Sequence, residues 1–171
     1  MDLKQRPSRL AAAWPWISTL ARLGLSAVFL VAGGLKVTDL AASARAVNAY
    51  DLMSYDTAKV IGAVQPFLEI ALGLLLLIGI ATRLTAAIGA VVLVIFIAGI
   101  VSAWSRGLQI DCGCFSKGGE LTGGRTAQYG LDILRDVGFL ALAGILLWKP
   151  RTRFSLDGLL LGPEGSALGE K

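Results

Sequence analysis

Four apolar runs, residues 17–37, 58–80, 84–104 and 128–148, restrict this chain more than any other feature in it. A helix needs about 20 mostly apolar residues to cross the hydrocarbon core of a bilayer. In lipid, every backbone N–H and C=O must find its partner within the chain, so such runs span as helices. The expected fold is an all-α membrane protein, a four-transmembrane-helix antiparallel bundle over residues 17–148. Composition agrees: hydrophobic residues make up 55% of the chain and the mean hydropathy is +0.69, far above a soluble globule. The net charge of +4 does not point to nucleic acid, because the basic residues sit mainly at helix ends, where they read as topology signals.

Four spans would put both termini on one side. Lys4, Arg6, Arg9, Arg83, Lys149, Arg151 and Arg153 lie in short flanks on that side, while Lys36, Arg45, Lys59, Arg106, Lys117 and Arg125 are spread over two longer loops. The denser flanks are expected to be cytoplasmic. Residues 1–16 then form a basic cytoplasmic segment, and the glycine-rich residues 149–171 a flexible cytoplasmic tail. The first run is longer than a signal-peptide core and no small-residue cleavage site follows it, so it reads as a retained helix. Loops 38–57 and 105–127 are extracytoplasmic. Within the first, Leu40, Ala44, Val47 and Leu52 recur at near-helical spacing and predict a short interfacial helix. The second, with "SKGGELTGG", reads as a flexible outward flap. Trp14, Trp16 and Trp148 on one side, and Trp104, Tyr129, Tyr50 and Tyr55 on the other, suit the headgroup level.

Several ionisable residues fall inside the runs: Arg22, Glu69, Asp132, Arg135 and Asp136. Each costs at least about 2.5–3.5 kcal/mol at mid-membrane unless paired. Glu69 lies roughly 16 Å into its run at 1.5 Å per residue, too deep to reach water. Arg135 and Asp136 lie at a comparable level. Glu69 with Arg135 is the expected pair, with Arg22 joining through Asp136 or Glu69. The cluster is either a polar pocket opening toward the third loop or a structural network that fixes helix registry. Pro66 removes a helical hydrogen bond near the cluster. Lys36, at the outer end of the first run, reads as an interfacial anchor, or as a holder of an anionic ligand head. Gly24, Gly33, Gly34, Gly62, Gly73 and Gly79 suit close helix packing.

The chemistry sits in "IDCGCFS", which holds the only two cysteines, Cys112 and Cys114. Gly113 between them permits the dihedrals a small disulfide ring needs. Such a ring is strained, and strained exposed disulfides exchange rather than staple. Asp111 disfavours the thiolate, whereas Arg106 and Lys117 favour it. A zinc site needs about four ligands; the chain has no histidine and only two cysteines. No metal is expected. Idle reduced thiols stay open on spacing alone.

Taken together, "RLGLSAVFLVAGGLKVTDL", "AYDLM", "PFLEIALGLLLLIG", "IDCGCFS" and "LRDVGFLALA" resemble the MauE family of methylamine-utilisation membrane proteins, within a wider DoxX-like group. The resemblance covers about residues 17–148. It implies a four-helix bundle serving disulfide chemistry outside the cytoplasm, alongside a thioredoxin-fold partner. The family positions would be Arg22, Lys36, Pro66, Glu69, Cys112, Cys114, Arg135 and Asp136.

The functional expectation is a membrane thiol–disulfide oxidoreductase using Cys112 and Cys114. One cysteine pair cannot relay electrons across the membrane by itself. A quinone docked near Glu69, Arg135 and Arg22 is one route; a partner protein supplying both ends is the other. The alternatives are a non-enzymatic assembly factor or accessory subunit of a membrane complex, and a small-solute or metal transporter.

Overall fold

The computed structural model describes residues 9–113, 118–121 and 127–148. The elements run α1 (Arg9–Val37), α2 (Leu40–Asn48), α3 (Tyr55–Ile78), α4 (Thr82–Ser105), β1 (Ile110–Asp111), β2 (Gly119–Glu120) and α5 (Tyr129–Trp148). Helix α1 packs against α3 and α5, and α4 packs against α5. The α3–α4 seam is the loosest of the four contacts that close the bundle. Leu25 and Phe29 of α1, Leu72 and Leu76 of α3, Leu93 of α4 and Leu146 of α5 meet in the core. The outward faces are also apolar: Leu20, Val64, Ile95 and Leu134 are all more than half exposed. A bundle that is hydrophobic all round is built for lipid.

Among the described residues, three helices are long and apolar enough to cross a membrane: residues 13–37 of α1, all of α3 and all of α4. This is one fewer than the four expected. Helix α5 has 20 residues but carries Asp132, Arg135 and Asp136 in its first half. The basic lead also ends earlier than expected, because α1 begins at Arg9 rather than near residue 17. The residues 149–171, expected as a flexible cytoplasmic tail, lie outside the described residues.

Close backbone contacts set the register of α1 on α3. A Cβ on Gly33 would lie 2.7 Å from the Pro66 carbonyl oxygen, and one on Gly73 would lie 2.7 Å from Leu30 Cγ. Pro66 is thus a buried packing partner inside a continuous α3. This register stops α1 opposite the middle of α3. Helix α2 then takes over beside the first half of α3, where a Cβ on Gly62 would come within 2.6 Å of Ala44 Cα. Asp39 caps α2 by accepting from the Ala42 N–H at 2.9 Å. Helix α2 exists as the spacing predicts, but its buried face is Ala42, Ser43, Ala44 and Ala46. Leu40, expected on that face, is exposed. Small residues win because α3 approaches too closely for a branched side chain.

At the far end, α3 stops on Gly79 in the left-handed conformation, φ +76°. Gly79 and Ile80 N–H groups both donate to the Leu75 carbonyl, at 2.9 and 3.1 Å. This glycine stop turns the chain directly into α4.

Part of the third loop is paired; most of the "SKGGELTGG" stretch expected as a flap lies outside the described residues. Strands β1 and β2 pair antiparallel, Ile110 with Glu120 and Asp111 with Gly119. Tyr129, at the start of α5, accepts from the Ile110 N–H at 3.2 Å and donates to the Leu108 carbonyl. It is buried, not part of an exposed aromatic belt, and its ring lies 6.2 Å from that of Trp104.

Candidate functional site: the Cys112 turn and the buried charges beneath it

Cys112 follows β1 directly and is half-buried. Three contacts hold its backbone. Tyr50 Oη donates to the Cys112 carbonyl at 3.1 Å. Asp111 Oδ1 accepts from the Gly113 N–H at 3.0 Å. Gly113, at φ +71°, packs against Gly118, at φ +59°, and both sit on Ala46 of α2. A Cβ on Gly118 would lie 2.6 Å from Ala46 Cβ and 2.8 Å from Gly113 Cα. Both positions therefore need glycine, for conformation and for space. Cys114 lies outside the described residues.

The sulfur has a charged neighbour from α5. Arg135 Nη2 donates to Cys112 Sγ at 3.6 Å. The same guanidinium pairs with Asp132 Oδ1 at 3.1 Å and Asp136 Oδ1 at 3.2 Å. Asp136 is 2% exposed, and its Oδ2 has no hydrogen-bond partner among the described residues. The two carboxylates hold the planar fork in place, so one N–H is presented to the sulfur. Of the two loop cations expected near the thiol, Arg106 plays another part. Arg106 donates to the Tyr50 and Asp51 carbonyls and clamps that turn. Lys117 lies outside the described residues.

The buried acid of α3 pairs differently from expectation. Glu69 Oε1 meets Lys36 Nζ at 2.6 Å, and Gln65 Nε2 donates to the same oxygen at 3.0 Å. Lys36 and Glu69 are 8% and 1% exposed. The expected Glu69–Arg135 pair is not formed: Arg135 pairs with Asp132 and Asp136 of its own helix, and Glu69 with Lys36. Lys36 is no interfacial anchor: the register of α1 buries the end of that helix. Its ammonium also lies 5.5 Å from the Phe96 ring centre, a cation–π distance.

Arg22 stands apart from both groups. Its Nη1 donates to the Leu76 and Leu77 carbonyls at 2.8 and 3.0 Å. Those are last-turn carbonyls of α3, left without helical donors. A cation there also matches the helix dipole. Arg22 is a cap on α3, not the expected partner of Glu69 or Asp136.

A pocket of about 190 Å³ joins the two groups. Lys36 and Gln65 line it, with Cys112 and Gly113 as a further part of its wall. Tyr50, Phe96 and Gly99 belong to it as well. The sequence marks Tyr50 only as a headgroup-level aromatic, and it does not single out Gln65 or Phe96. The one available signal is Gln65, an amide one helical turn before a buried acid. Among the described residues no cluster of three or more His, Cys, Asp or Glu forms a metal site.

No curated protein and no solved structure matches the chain. Residues 14–149 match the family described as methylamine utilisation protein MauE, most of the sequence, and the chain belongs to that family.

Proposed function

We propose that this MauE-family protein is a membrane thiol–disulfide redox protein, with Cys112 and Cys114 as its exchanging pair. The observation that carries the reading is the Arg135 N–H on Cys112 Sγ. A guanidinium at hydrogen-bonding range favours the thiolate, the form that attacks a disulfide. Cys112 Sγ would attack a partner's disulfide, forming a mixed disulfide and releasing one partner thiolate. Cys114 would then attack Cys112 Sγ, closing the intramolecular disulfide and releasing the partner's second thiol. Two electrons pass from this pair to the partner, and the reverse sequence returns them. An extracytoplasmic thioredoxin-fold protein suits this chemistry as partner.

Two placements support the scheme. Helix α5 is about 30 Å long at 1.5 Å per residue, and its charges lie in its first half, with an apolar second half. It serves as the fourth span of a DoxX-like bundle. The denser basic flanks put both termini in the cytoplasm, which leaves the Cys112 turn outside, where disulfides persist.

Alkylation in intact cells tests the reading. A membrane-impermeant maleimide should label Cys112 and Cys114 only after reduction from outside. Labelling that needs permeabilised cells would overturn the placement. Full function of the double Cys112→Ser, Cys114→Ser variant would leave the assembly-factor reading in its place.

A further inference from the structure

We infer that the pocket beside Cys112 binds the ring of a lipid-soluble quinone, which takes the pair's electrons. This rests on the redox reading above, run in its reverse direction so that a partner dithiol gives two electrons to the Cys112–Cys114 disulfide, and adds the acceptor that takes them on and its site.

The walls and mouth come first. Ile61 of α3 and Ile95 of α4 line the pocket, and both are exposed on the bundle's apolar outer face, at 41% and 61%. They flank the loosest helix seam. A ligand entering there comes from the bilayer and can leave an alkyl tail in it. About 190 Å³ admits a small ring system and little more.

The inner end selects the ligand's chemistry. Lys36 carries three N–H donors, and one of them is used on Glu69. Its charge is already matched by Glu69 at 2.6 Å. A carboxylate or phosphate ligand would meet Glu69 as a like charge. A neutral carbonyl acceptor would not. Tyr50 and Phe96 supply aromatic walls, which suit a planar ring. Cys112 belongs to the same pocket wall, so thiol and ring share one space.

The electron balance closes. The Cys112 thiolate adds to a ring carbon and forms a C–S bond. The Cys114 thiolate attacks Cys112 Sγ; the S–S bond forms, the C–S bond breaks, and its electron pair stays on the ring. Two thiols and one quinone become one disulfide and one quinol. The two thiol protons end on the quinol oxygens. The Lys36 ammonium and the Glu69 carboxylate, whose Oε2 lacks a hydrogen-bond partner among the described residues, are placed to pass them.

Reduced protein in phosphatidylcholine nanodiscs, kept free of oxygen, is mixed with decylubiquinone or with menadione. Quinol absorbance and alkylation mass shifts are read together. One quinol per disulfide formed is expected. Gly99→Phe would fill the pocket, because even its Cβ would lie 3.4 Å from the Tyr50 ring. Ile61→Trp would block the mouth from an exposed position that the fold tolerates. Each should slow quinone-driven oxidation about tenfold or more, while in Ile61→Trp oxidation by glutathione disulfide stays unchanged. If wild type reacts with glutathione disulfide but with neither quinone, the pocket assignment falls and the redox reading stands. If the folded Ile61→Trp variant reacts with quinone as fast as wild type, the assignment also falls. Inertness toward both kinds of oxidant would overturn the redox reading itself.

Discussion

Lys36 Nζ and Glu69 Oε1 lie 2.6 Å apart, one at the end of α1 and the other in the middle of α3, both removed from solvent. A buried pair of this kind does not stabilise much over an apolar pair, but breaking it is expensive. Lys36→Met or Glu69→Leu alone strands one buried charge and should cost about 3–5 kcal/mol. The double variant should recover most of that loss. Thermal unfolding in detergent, run as a double-mutant cycle, measures the recovery. Additive losses would contradict the pairing.

Arg22 makes a separate prediction. Arg22→Met leaves the Leu76 and Leu77 carbonyls of α3 without their donor. Unsatisfied buried acceptors cost roughly 1–3 kcal/mol. Stability should fall by that order, while the alkylation rate of Cys112 should not move. A Cys112 rate that tracks Arg22 would return Arg22 to the charged cluster beneath the thiol.

Gly62 tests the seating of α2. Its missing Cβ would come within 2.6 Å of Ala44 Cα, a backbone atom that cannot swing aside. Gly62→Val should therefore push α2 off α3 and cost about 1–3 kcal/mol, as overpacking does. Proteolysis within residues 38–53 should accelerate in the variant. Gly34 has open space where a Cβ would go, so Gly34→Ala serves as the neutral control.

Arg135 bears on reactivity. In a Cys114→Ser background, iodoacetamide reports the thiolate fraction of Cys112 alone. The guanidinium favours the charged form, so its removal must make the thiolate harder to form. Arg135→Met should move the rate–pH profile of alkylation to higher pH, and Arg135→Lys should move it less. Coincident profiles would show that the contact with Cys112 Sγ has no chemical effect.

Much of this fold is legible in the sequence. The apolar runs locate α1, α3, α4 and α5, and lipid leaves such runs no choice but helix. What the runs hide is their relative level. Lys36 reads as an anchor because its run ends there, and only the Gly33–Pro66 contact reveals that this end stops opposite mid-α3. The same register sends Arg22 to the carbonyls of Leu76 and Leu77. The charges are legible as too costly to stand alone, but their partners depend on packing across helices. The Arg135–Cys112 contact is hidden for another reason: a hairpin pinned by Tyr129 sets Cys112 beside Arg135 of α5 and Gly113 on Ala46 of α2. Composition alone reads every glycine of that loop as a source of freedom, whereas Gly113 and Gly118 are there to fit Ala46.

The proposed function has Cys112 exchange with a partner's disulfide. The most direct measurement is trapping in native membranes with Cys114→Ser, which lacks the thiol that would resolve a mixed disulfide. The variant should accumulate a covalent adduct on non-reducing gels, lost on adding reductant and missing from Cys112→Ser, Cys114→Ser. A folded Cys114→Ser protein that forms no reducible adduct would contradict the account.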